Sequence, residues 1–261
     1  MEVGSLVSCR EDISALFPAE TTPSAKYNDL SSQFCAVRKV SGDGNCFYRA
    51  ACFAHLESAL HHPRALQRSA SHQCIIIIIR GGNNNHRVIS FKDKIIQSGR
   101  VLTSAGFDES SFSHHQNTLV RVVEQCLADE QEDTLLRLFN EKLISDGVIQ
   151  FLRLLTSAHL QNHADFFCNF VEAPDLKVYC CQEVETMAME CDHVDILALV
   201  QALDVGVHIV SMEGDKEQLA HHIIPEGVEP SVHLLYQTSH YNIIYQRIHR
   251  NPDQLRNTDS L

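Results

Sequence analysis

The sequence predicts an α+β domain, with a helical lobe first and a mostly antiparallel sheet after it. Three observations predict it. Apolar positions recur at helical spacing through residues 46–60 and again from 118 to about 203; the period falls to two after Gly206; and the strand-like segments gather at the end instead of alternating with helices as βαβ units would. The chain of 261 residues, 44 % apolar and 21 % charged, can bury one sizeable core, and no linker divides it into halves.

Residues 1–40 read as a lead-in with short helical pieces such as Tyr27 to Phe34. Residues 41–246 form the main domain. It opens on the turn-rich run Ser41-Gly42-Asp43-Gly44-Asn45 and continues into a helix from Cys46 to Leu60, where Phe47, Ala50, Ala51, Ala54 and Ala59 suit a packed face. Residues 61 to about 90 hold His61-His62-Pro63, five successive isoleucines, Gly81-Gly82 and three asparagines, with no steady period, and are expected to form an irregular insertion. A β-branched run without a polar face is also an aggregation hazard.

Helices are predicted over Thr118–Ala128, over Thr134–Phe139, and from Ser145, as N-cap, to about Phe170. Pro174 is placed to open another short helix, and Asp192 to cap one carrying Val194, Ile196, Leu197, Leu199, Val200 and Leu203. Strands follow: Val207 to Met212, His222 to Ile224, then Val232, Leu234 and Tyr236 in alternation. The turn Gln237-Thr238-Ser239 and a return from His240 to Tyr245 complete a hairpin with His240 at its tip. Residues 247–261 are polar and read as a loose tail.

The bulk properties exclude several functions. A formal charge of −12, from 33 acidic and 21 basic side chains, is wrong for a phosphate backbone as main partner. No apolar run approaches the roughly 20 residues that cross a bilayer. The ten cysteines are scattered, without C-x-x-C, and no basic-then-apolar leader begins the chain. Reduced thiols are therefore expected, in the cytoplasm and also the nucleus, with no metal and no organic cofactor. The adjacent pairs His61-His62, His114-His115 and His221-His222 point apart in either regular structure and make no ready metal pair. Glu183, Glu185 and Glu190 read as a solvated acidic stretch.

Cys46 stands apart from the other cysteines because it follows two glycines and opens a helix. Unpaired N–H groups and partial positive charge at a helix start favour a thiolate and can hold an oxyanion. Gly42 and Gly44 let the backbone approach a substrate carbonyl, with the N–H groups of Cys46 and Asp43 as oxyanion donors. A plain turn with Asn45 as cap and Cys46 as small filler fits the local residues equally well. His240 and Asn242, one pleat apart on one strand face, are what a base and its orienter need, although a solvated pair has the same pattern. An early cysteine on a helix and a late histidine on a strand is the layout of papain-like proteases.

Taken together, Gly42-Asp43-Gly44-Asn45-Cys46-Phe47-Tyr48-Arg49-Ala50 and Ser239-His240-Tyr241-Asn242-Ile243-Ile244-Tyr245 resemble the otubain family of OTU cysteine deubiquitinases. Val148–Ala158 and Met187–Leu203 look similar to the same family, and the likeness is greatest to its shorter vertebrate members. The resemblance implies a papain-like OTU fold, Cys46 as nucleophile, His240 as general base, Asn242 as orienter and Asp43 as the acidic loop residue. It implies hydrolysis of isopeptide bonds in ubiquitin chains and conjugates through a thioester. The expected partners are ubiquitin, polyubiquitin chains and ubiquitinated proteins, with no nucleic acid and no membrane, and the chain acting as a monomer. With Cys46 so early, the arm with which longer members engage conjugating enzymes has little room. A ubiquitin-binding scaffold with little turnover and a general papain-like peptidase are the rival expectations.

Overall fold

A computed structural model describes residues 4–17, 24–60, 84–129, 133–172, 175–214 and 217–247. In chain order its elements are β1 (Glu11–Asp12), α1 (Ala25–Gln33), β2 (Phe34–Arg38), α2 (Cys46–Leu60), α3 (Asn84–Ser104), α4 (Glu109–Ala128), α5 (Thr134–Asn140) and α6 (Lys142–Asn162). Then come α7 (Ala164–Phe167), α8 (Leu176–Tyr179), α9 (His193–Leu203), β3 (Val207–Ser211), β4 (Ala220–Ile224), β5 (Val232–Gln237) and β6 (His240–Gln246). Helices thus precede most strands, and α2 and β3 to β6 fall where the periodicity predicts them.

The strands form one six-stranded sheet in the order β1-β2-β6-β5-β3-β4. Every pairing is antiparallel except β3 with β5. Both faces are covered. The main core packs α2, α3, α4, α6 and α9 against Val207, Ile209, Val232, Leu234, Tyr241 and Ile243. On the opposite face Val210, Leu235 and Ile244 meet Ile13, Leu30, Phe34 and Val37 from the first forty residues. That double burial is why β3 is buried along its whole length, while the edge strand β4 stays mostly exposed.

The lead-in holds the expected short helical pieces, α1 among them, and also supplies two strands of the sheet. β2 pairs directly with β6, register Val37↔Ile244 and Arg38↔Ile243, and so braces the strand that carries His240 and Asn242. Its neighbour α2 is tied to the same strand by a buried ionic cluster. Glu57 accepts from Arg38 at 2.9 Å, from Arg10 at 3.2 Å and from the Tyr245 hydroxyl at 2.5 Å. Burial pushes the Glu57 carboxyl up, but the two guanidinium groups outweigh it and hold it below the usual carboxylate range.

Four expectations about helices change. α3 begins at Asn84, so the last residues of the expected insertion are helical. Val88, Phe91, Ile95 and Leu102 turn one stripe of α3 into the core. The rest of the insertion, and the polar tail, lie outside the described residues. α4 starts at Glu109 with the Asp108 carboxylate accepting from the Ser110 N–H, well before Thr118. α6 starts at Lys142 and stops at Asn162, and Ser145 is not its cap but a fully buried residue inside the first turns, accepting from Arg49 Nε at 3.1 Å. Pro174 lies outside the described residues, and α8 is capped by Asp175. The Asp192 cap of α9 is as predicted, and Asp195 completes a capping box with it.

Candidate active site

The loop before α2 is shaped by side chains that leave little freedom. Gly44 has φ +76°, and a β-carbon there would lie 1.9 Å from the Ala188 carbonyl oxygen, so glycine alone fits. The Asn45 carbonyl accepts from the Arg49 N–H at 3.0 Å, the first turn of α2. Asp43 Oδ1 accepts from the Asn45 N–H at 3.1 Å and from Arg49 Nη1 at 2.8 Å. Partial burial raises the Asp43 carboxyl, but the hydrogen bond and charge of the fully buried Arg49 prevail and keep it below the usual range. Asp43 is thus an ionised strut of the loop.

β6 brings the second half of the site. The two-residue turn Thr238-Ser239 pairs Gln237 with His240 and places Leu235 opposite Asn242. Asn242, almost completely buried, accepts from the Val40 N–H at 3.0 Å through Oδ1, and the same oxygen lies 3.2 Å from His240 Nε2. Because Oδ1 is an acceptor, Nε2 must carry the proton, which leaves Nδ1 with the free lone pair of a neutral imidazole. The Nδ1–Cε1 edge faces the Cys46 loop, 3.7 Å from where a β-carbon on Gly42 would sit. Cys46, His240, Gly42, Gly44, Glu190 and Tyr241 all line one cleft of about 320 Å³.

The sulfur's environment corrects one expectation. Burial pushes the Cys46 thiol up; the N–H groups of Tyr241, Phe47 and Cys46 itself favour the thiolate, while the Asp43 charge opposes it. The sum lies on the raised side, so the helix start alone does not ionise this cysteine. Attack then requires a base, and the free Nδ1 of His240 faces the right loop.

Structure also supplies residues that were not read from the sequence as site residues. Val40 fixes Asn242 through its backbone. Arg153, in the apolar run Phe151-Leu152-Arg153-Leu154-Leu155, is fully buried and donates to Asn45 Oδ1 at 2.9 Å. A charge inside an apolar helical stretch was the available signal. Asn45 occupies the N-cap position, yet its side chain turns to Arg153 and to the Ala188 N–H at 3.0 Å. Of the acidic stretch, Glu190 lines the cleft, and Glu185 accepts from the Ser157 hydroxyl at 2.6 Å. Among the described residues no three His, Cys, Asp or Glu side chains gather as a metal site, and no helix is long and apolar enough to cross a membrane.

The chain is similar to known proteins over nearly its whole length. The family model for peptidase C65, otubain, matches residues 2–246. Ubiquitin thioesterase OTUB2 from Mus musculus is 40 % identical over 245 residues, which cover 92 % of this chain and 95 % of that protein. Human ubiquitin thioesterase OTUB1 is 37 % identical over 247 residues, 92 % of this chain and 83 % of its own length. A solved complex of ceOTUB1 with ubiquitin aldehyde and UBC13~Ub superposes with a TM-score of 0.79 at 25 % identity, covering 95 % of this chain and 96 % of that one. Matched by the family model over residues 2–246 and by a relative 40 % identical over 92 % of its length, this chain belongs to the peptidase C65 otubain family.

Proposed function

We propose that this protein is a thiol-dependent ubiquitin hydrolase that cleaves isopeptide bonds in ubiquitin chains and ubiquitinated proteins. Cys46 is the nucleophile, His240 the general base and acid, Asn242 its orienter, and Asp43 the strut of the nucleophile loop. The observation that carries the reading is the Asn242 oxygen held by the Val40 N–H, because it dictates which nitrogen of His240 is basic. His240 Nδ1 takes the proton of the Cys46 thiol as sulfur attacks the scissile carbonyl carbon. The oxyanion meets N–H groups at the start of α2, beside Gly42 and Gly44. His240 then protonates the leaving lysine amine; water, deprotonated by the same nitrogen, attacks the thioester carbonyl, the C–S bond breaks to free the ubiquitin carboxylate, and His240 returns the proton to the Cys46 sulfur. Chemistry of this kind uses no metal or organic cofactor.

Support for ubiquitin as the substrate comes from the relatives, which are ubiquitin thioesterases, and from the similar structures, which hold ubiquitin aldehyde. A reactive thiol of this type suits a reducing compartment, and we place the protein in the cytoplasm and the nucleus; fractionation of cells would check this. The experiment for the function itself is incubation with an electrophilic ubiquitin C-terminal probe. A covalent adduct on wild type that is absent from Cys46→Ala is the expected result. Folded wild type that forms no adduct would overturn the hydrolase reading in favour of a ubiquitin-binding scaffold.

A further inference from the structure

Arg153 has no part in the chemistry just described, yet its setting is the most heavily committed near the site. It is fully buried on α6, with its guanidinium 4.5 Å from the Tyr48 ring centre. Nε and Nη2 donate to Asn45 Oδ1 at 3.2 and 2.9 Å. Nη2 also donates to the Gly44 and Met189 carbonyls at 3.0 and 2.6 Å, and Nη1 to the Val184 carbonyl at 3.0 Å. One planar fork thereby joins the nucleophile loop to the segment before α9. A lysine's single ammonium could not span those acceptors.

The Asn45 oxygen is the telling partner. An asparagine at an N-cap ordinarily turns its side-chain oxygen back onto the N–H of the second or third helical residue. In α2 those residues are Phe47 and Tyr48. Here Oδ1 accepts from Arg153 and from the Ala188 N–H instead, and Ala188 itself sits at φ 66°. The Phe47 N–H is left to face the Cys46 sulfur.

We propose that Arg153 is a positioning residue which, by holding the Asn45 oxygen away from the first turn of α2, keeps the Phe47 N–H there free for the Cys46 thiolate. The proposal rests on Cys46 being the nucleophile. It explains why a residue type so suited to capping stands at this position without capping. It also explains how the sulfur, already disfavoured as a thiolate by burial, keeps a donor that opposes that effect.

The test compares Asn45→Ser with Asn45→Ala. Both remove the oxygen Arg153 holds, but only serine can cap α2. Two quantities are measured: the pH dependence of Cys46 alkylation by iodoacetamide, followed by peptide mass, and kcat and KM on a fluorogenic ubiquitin C-terminal amide. Relative to the alanine variant, the serine variant should show an alkylation midpoint higher by about 0.7 pH unit and a kcat about fivefold lower, the size of one competing cap, with KM within about twofold. Arg153→Lys, shown to be folded by its melt, should raise the midpoint as well, and adding Asn45→Ala to it should bring the midpoint back down. Equal midpoints in the serine and alanine variants would overturn the proposal, as would folded Arg153→Lys alkylated like wild type. Alkylation does not need ubiquitin. The expected shifts in a protein that never turns over the ubiquitin amide would therefore uphold the clamp and refute only the substrate.

Discussion

Gly44 shows how narrow the tolerance of the site is at the level of one residue. An alanine there has to hold φ +76° and push its β-carbon into the Ala188 carbonyl, a backbone atom that cannot swing aside. Gly44→Ala is expected to lose about 2 kcal/mol or more of stability in urea unfolding, together with labelling by the ubiquitin probe. Gly42→Ala is the contrast, because its β-carbon would make only ordinary contact with His240 at 3.7 Å; its stability should stay within about 1 kcal/mol of wild type. Cys46, His240, Asn242 and the glycines stood out as candidates because each sits in a short local pattern, and the resemblance of the two motifs to one family gave them their expected roles. The Val40 N–H and the Arg153 guanidinium did not. Val40 acts through a backbone group that any residue but proline supplies, and Arg153 reaches the loop from 108 positions away.

At the level of elements, the hairpin that presents His240 carries backbone strain. Thr238 and Ser239 have φ of 52° and 56°, a turn in which both central residues are left-handed, and neither is the asparagine or glycine that such turns prefer. A β-branched threonine is especially unsuited to it. The double change Thr238→Asn with Ser239→Gly should stabilise the protein by about 1 kcal/mol, raising the melting temperature by about 2–4 °C. An unchanged or lower melting temperature would show that the two left-handed residues do not destabilise the turn. The hairpin was readable from the alternation of its two strands, despite its turn residues, and α9 because cap and period agree there. β2 was not, since five residues give too short a pattern to separate a strand from the end of α1. α3 was hidden by the low-complexity stretch before it, although its buried positions do follow a helical period.

For the molecule as a whole, buried histidines set the response to acid. Burial, then the charges of Arg87 and Lys94, hold His55 down to about 4; burial, then His208, does the same to His233. Unfolded, both would titrate near 6.5, so the unfolded state takes up more protons as pH falls. The stability these groups contribute is complete above about pH 6.5 and is lost progressively toward pH 4. Asp195 works the other way: burial raises it to about 6, so its protonation relieves the folded state over part of the same range. Two histidines against one carboxyl leave a net loss of about 2 kcal/mol between pH 7 and 5, measurable by urea unfolding at each pH. Replacing His233 by leucine should flatten that slope; a slope unchanged by the substitution would show that the dependence comes from elsewhere.

The class of fold, the order of helices and strands after residue 190 and the family could be read along the chain, because they are written in local periods, caps and two short motifs; those motifs also marked Cys46, His240 and Asn242 as the candidates for chemistry. Tertiary structure alone decided that the first forty residues complete the sheet beside β6. It also decided that Asn242 is held by Val40, that Asn45 is turned away from its own helix by Arg153, and that burial pushes the Cys46 thiol up. Each of these depends on which distant groups are brought within 3 Å and how much water they exclude. Such quantities belong to packing between segments, and no pattern along a single segment encodes them.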